Sequence, residues 1–146
     1  MIDSPTGAPE VEEAGEKTYF RYSATLRIFG DIPNIDELTQ RLGVPPTHSH
    51  RRGEKRRPLS RPCEQDMWMY EAPVPSIEPL HVHIDRLWSV FKERKHDLIQ
   101  LKRDLTVDVF LGYRSNCDNA GVEVPPKSLE IFVELQVPFG LSIIIT

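Results

Sequence analysis

At 146 residues, with 39% apolar and 27% charged residues, the chain has the size and composition of one soluble globular domain. Its formal charge of -4 excludes general affinity for DNA or anionic membranes unless a local basic face overrides it. No segment approaches the roughly 20 apolar residues of a membrane span, and Met1 to Glu16 has no secretory apolar run, so a cytoplasmic location is expected.

Residues 1 to 17 hold Asp3, Glu10, Glu12, Glu13 and Glu16 with little to bury. They are expected to form a disordered acidic arm ahead of a single α+β domain spanning 18 to 146. From Tyr19 to Phe29, Tyr22, Ala24, Leu26 and Ile28 alternate with Arg21, Ser23, Thr25 and Arg27, the period-two pattern of a half-buried strand that Gly30 and Pro33 end. A short helix follows. Asn34 caps it with Glu37 three positions on, Ile35, Leu38 and Leu42 form its apolar stripe, and Gly43 supplies a left-handed stop.

The stretch from Pro45 to Pro62 reads as a loop, and Met67 to Glu71, with Trp68 and Tyr70, as a brief second strand. Between Pro79 and Arg94, Leu80, Ile84, Leu87, Trp88 and Phe91 recur at helical spacing, with Ser76 as the cap upstream and a short further helix around Leu98, Ile99 and Leu101. Leu105, Val107, Val109 and Leu111 then alternate as a third strand. Pro125 and Pro126 suit the entry to a last helix that buries Leu129, Phe132 and Val133. Leu141 to Ile145 is continuously apolar save for Ser142, which predicts a strand covered on both faces or central in the sheet. Two βαβ-type halves, at 19 to 71 and 105 to 146, joined by an extra central helix, give the expected architecture. It is a ferredoxin-like four-stranded sheet with helices on one face.

The charge of the chain is unevenly spread. Arg51, Arg52, Lys55, Arg56, Arg57 and Arg61, six of its 18 Lys and Arg, share one loop with His48 and His50. Arginine pairs bidentately with carboxylate or phosphate, and a histidine near neutral pH adds a donor, so His48, His50, Arg51, Arg52, Arg56 and Arg57 are the candidate binding residues for an acidic partner or anion. The same cations repel a metal held by the two histidines. No aromatic residue interleaves with the basic ones, which makes nucleic acid an unfavourable partner.

His81, His83 and Asp85 would share a face on a strand and could then bind zinc. On the helix that the apolar stripe demands, His83 is expected to point away from the other two, on a solvated flank, so no metal or cofactor is expected there. Cys63 and Cys117 are single and far apart, as free thiols in a reducing compartment are. Neither a phosphate-cradling glycine loop nor a Gly-x-Ser-x-Gly elbow is present, and no catalytic residue is assigned.

Leu26-Arg27-Ile28-Phe29-Gly30-Asp31, Asp36-Glu37-Leu38, Leu42-Gly43-Val44 with Pro46-Thr47, and Gly53-Glu54 form a pattern continued by Gly121-Val122, Pro126, Leu129 and the final apolar strand. Over about residues 24 to 146 it resembles the bacterial family catalogued as domain of unknown function 4279. Gln136-Val137-Pro138 replaces the Leu-Gly pair usual in that family, which implies a different end to the last helix, and His50 replaces a common aromatic. The resemblance implies a small bacterial cytoplasmic domain with no established catalytic motif, some relatives of which look like immunity or accessory proteins beside toxin genes. The expected function is a non-enzymatic protein-binding module that uses the basic loop. The alternative is a phosphate-, nucleotide- or nucleic-acid-binding domain, or a small hydrolase, acting at the same loop.

Overall fold

The computed structural model describes residues 17–146, so the acidic arm expected over 1–17 lies outside the described residues except for Lys17. In chain order the elements are β1 (Phe20–Gly30), α1 (Ile35–Leu42), β2 (His48–His50), β3 (Asp66–Glu71), α2 (Leu80–Phe91), a 3-10 turn (Lys92–Arg94), α3 (Lys95–Leu101), β4 (Thr106–Ser115), a 3-10 turn (Pro126–Leu129), α4 (Glu130–Leu135) and β5 (Leu141–Ile145). Among the described residues no helix is long and apolar enough to cross a membrane.

The strands form one sheet in the order β2-β3-β1-β4-β5. Only β4 and β5 pair in parallel; the other neighbours are antiparallel. Alternation along β1 sends Ala24, Leu26 and Ile28 inward, and the register places Trp68 of β3 and Val107 and Val109 of β4 beside them. Onto this face pack Leu80, Ile84, Leu87, Trp88 and Phe91 of α2, with Leu38 and Leu42 of α1, Leu98 of α3 and Ile131, Phe132 and Leu135 of α4. Each large side chain buried in this way is worth about 1.5–3 kcal/mol. Among the described residues no helix packs on the opposite face of the sheet. There Arg27 donates to both carboxylate oxygens of Asp108, at 2.9 and 2.7 Å, with its guanidinium over the rings of Phe29 and Phe110.

Local chemistry sets the element ends. Asn34 Oδ1 accepts from the Glu37 N–H at 3.0 Å, and Gly43, at φ 79°, closes α1 with its N–H on Thr39 O. Pro79 rather than Ser76 occupies the N-cap position of α2, and no side chain caps it.

The sheet departs from the four-stranded ferredoxin-like expectation. It has five strands, because His48-Ser49-His50 pairs with Met67–Met69 instead of continuing the loop. The first half is therefore not β1-α1-β3. Since β1 and β2 are both antiparallel to β3 and lie on either side of it, the α1 crossover joins β1 to β2, and β3 returns between them through a hairpin. β5 is an edge strand, not a covered or central one, with Ile143, Ile144 and Ile145 exposed at 58%, 44% and 45%. Of the β5 side chains, Leu141 packs against the core. Val133 is 71% exposed where burial was expected, because the inward positions of α4 are Ile131, Phe132 and Leu135.

Candidate functional site

The basic segment is a built hairpin. β2 leads into it and β3 out, and between them Gly53 N–H donates to Cys63 O at 2.8 Å while Cys63 N–H donates to Glu54 O at 2.7 Å. Gly53 takes φ 93°, a left-handed conformation that favours glycine, and turns the chain away from β2. A second turn at the tip has Ser60 N–H on Arg57 O at 3.0 Å.

Asp66, at the start of β3, anchors the base. The inward alternation that buries Trp68 also buries Asp66, and backbone donors meet both its oxygens: Ile32 N–H reaches Oδ2 at 2.9 Å and Arg52 N–H reaches Oδ1 at 2.7 Å. Arg51 Nε lies 3.5 Å from Oδ1, and Arg51 Nη1 donates to Ile32 O at 3.0 Å. The carboxyl group is held below its ordinary pKa, chiefly by the Arg52 N–H bond, with the Ile32 N–H and the two arginine charges adding to it against the opposing effect of burial. Both oxygens are occupied, so Asp66 is a structural anion and not a free base. Between it and Asp31, Ile32, Pro33, Arg51 and Arg52 lies an open recess of about 370 Å³. Its two carboxylates oppose its two guanidinium groups, which suits no simple anion.

The expected site residues are thus divided. Arg51 faces inward onto Asp66 and Ile32, and the Arg52 side chain makes one distant contact, 3.9 Å to Asp31. His48 and His50 lie on β2, both on the helix-free face, with His48 Nε2 3.1 Å from His50 Nδ1 and 3.2 Å from Arg56 Nη2. A guanidinium can only donate, so His48 Nε2 accepts from Arg56. The His50 pKa is lowered, first by burial and then by His48 and Arg56, so its neutral form is favoured. Arg57 projects into solvent, as do Lys55 and Arg61, and among the described residues none of these three has a carboxylate within 4 Å.

Two residues of the hairpin escape a sequence reading that weighs charge alone. Asp66 carried a signal, an acidic residue in phase with Trp68 and Tyr70 on an apolar face. Leu59 is 101% exposed at the tip among the cations, and only the conformation of the loop reveals that. Trp68 and Tyr70 both pack edge-on against Phe91 of the core, and the Trp68 Nε1–H donates to Thr39 Oγ1 at 3.0 Å. Neither is free to stack on a base.

The expectation that His83 lies on a solvated flank is overturned. It is buried, because it stands three residues after Leu80 and four before Leu87, inside the apolar stripe. Its Nε2 donates to Glu78 O at 3.0 Å, its Nδ1 has no partner, and burial lowers its pKa. Asp85 instead accepts from Ser128 Oγ at 2.7 Å. Among the described residues no three His, Cys, Asp or Glu side chains converge as a metal shell. Cys63 and Cys117 are free thiols.

Across residues 18–146 the chain matches a family model described as "Domain of unknown function (DUF4279)". No curated protein and no solved structure matches it.

Proposed function

We propose that this chain, which belongs to the domain of unknown function 4279 family, is a non-enzymatic binding module whose basic hairpin docks on an acidic protein surface. The observation that carries this reading is the hairpin tip. Leu59 stands fully in solvent, flanked along the loop by Arg56, Arg57 and Arg61 on a backbone fixed by the Gly53–Cys63 pairing. An apolar side chain ringed by cations matches a partner with a small apolar notch and an acidic rim, the usual layout of a protein interface.

The alternative of phosphate chemistry at the loop is less well supported. The recess at its base holds two carboxylates, and Asp66 already accepts from two backbone donors. Asp31, the freer of the two, is almost fully exposed to solvent and repels rather than binds a phosphate. An immunity-like or accessory role would use the same protein-to-protein contact.

The test replaces Lys55, Arg57 and Arg61 by Ser and Leu59 by Ser in one variant, and compares it with the wild type in pulldowns from the native host at low and high salt. The expected result is an acidic partner held by the wild type at low salt, weakened at high salt and absent from the variant. Identical partner sets for the two proteins would overturn the reading.

A further inference from the structure

The register of β2 on β3 brings together four side chains whose chemistry the hairpin's charge does not explain. His48 is directly opposite Met69, and His50 directly opposite Met67. Cross-strand partners project to the same side of a sheet, with their Cβ atoms about 4.5–5.5 Å apart. Trp68, between the two methionines, points into the core, so Met67, Met69, His48 and His50 all stand on the helix-free face. All four are half-buried, sheltered but within reach of solvent.

We propose that His48, His50, Met67 and Met69 form a binding site for a monovalent soft metal ion, Cu(I). The two imidazoles already have the spacing of a chelate: the 3.1 Å between His48 Nε2 and His50 Nδ1 corresponds to two bonds of about 2.0 Å meeting at about 100°. The rings would turn so that both lone pairs meet the ion to one side of that line, with each imidazole neutral and its proton on the nitrogen away from the metal. Thioether sulfur is a soft donor that selects Cu(I), while imidazole serves copper as well as zinc, so the pair of methionines decides the metal. No carboxylate completes a shell for a harder divalent ion among the described residues.

The surrounding charge opposes any cation, and opposes a divalent ion more than a monovalent one. Arg56 sits on His48 from an exposed stretch of the hairpin and must swing away on binding, and a monovalent ion repels it less than a divalent one. Arg27, on the strand beyond Met69, is held by both oxygens of Asp108 and so is neutralised in place.

The experiment uses the full chain with Cys63→Ser and Cys117→Ser, because free thiolates bind Cu(I) on their own. Cu(I) is offered anaerobically in competition with the chromophoric chelator bicinchoninate, and the complex is analysed by X-ray absorption. One equivalent bound through nitrogen and sulfur scatterers is expected, with affinity reduced at least tenfold by Met67→Leu with Met69→Leu and abolished by His48→Asn with His50→Asn. Circular dichroism confirms that each variant is folded. The leucine pair keeps the volume of the methionines and serves as the decisive variant if the histidine pair unfolds. Failure to take up Cu(I), a shell without sulfur, or unchanged affinity in the leucine pair would overturn the proposal.

Discussion

His83 shows how one side chain can be misread and still be informative. It carries no charge in the core because burial lowers its pKa below the ordinary 6.5, whereas the unfolded chain is free to protonate it. The stability it permits is therefore complete above the unfolded value and is lost as pH falls below 6.5 toward the lowered folded value. His50, also lowered, acts in the same direction from a more exposed position. The expected outcome is that wild-type stability, measured by urea denaturation, falls as pH drops below the ordinary histidine value of 6.5 toward the lowered folded one, and that His83→Leu flattens that fall. An unchanged slope in His83→Leu would place the proton uptake elsewhere. The sequence contained the necessary spacing, three after Leu80 and four before Leu87. What it lacked was the width of the buried arc, which depends on α2 being covered by both the sheet and the following helices.

At the scale of elements, the strongly periodic segments were legible and the context-dependent ones were not. α1, α2, β1 and β4 each bury one regular face, and their residues announce it. β2 has three residues and becomes a strand only because β3 offers it an open edge, a partner that no local pattern reveals. The Ile run of β5 has the composition of a covered strand, but its place in the sheet depends on the order of pairing. α4 ends after Leu135 in the left-handed turn that glycine usually supplies. Gln136, expected to end the helix differently from a Leu-Gly pair, takes the backbone conformation a glycine there would take, and it is the one described non-glycine residue with positive φ, at 56°. Its carbonyl and that of Leu135 are satisfied by Lys102 Nζ, at 2.6 and 2.9 Å. A side chain at such a backbone position costs about 1 kcal/mol relative to glycine. Gln136→Gly should therefore raise stability by about that amount, less the entropy glycine adds to the unfolded chain, and a lowered melting temperature would count against the left-handed ending.

At the scale of the whole molecule, an acidic chain keeps helices on one face of its sheet and ends the other edge in a basic hairpin. The concentration of charge was visible in the sequence, while its division was not, because that depends on Asp66 reaching the base of the loop from β3. Arg51, Arg52 and Arg56 make contacts within the hairpin and its base, and the proposed docking falls to the others. Arg51 joins a buried carboxylate and a backbone carbonyl, whereas Lys55, Arg57 and Arg61 meet no carboxylate among the described residues. The most direct measurement is urea denaturation of Arg51→Ser beside the triple variant Lys55→Ser, Arg57→Ser, Arg61→Ser. Arg51→Ser should lose about 1–2 kcal/mol, since it strips a half-exposed charge-assisted contact from a buried acceptor. The triple variant should stay within about 0.5 kcal/mol of the wild type. An undisturbed Arg51→Ser together with a destabilised triple variant would contradict the division, and with it the claim that the exposed cations are kept for binding.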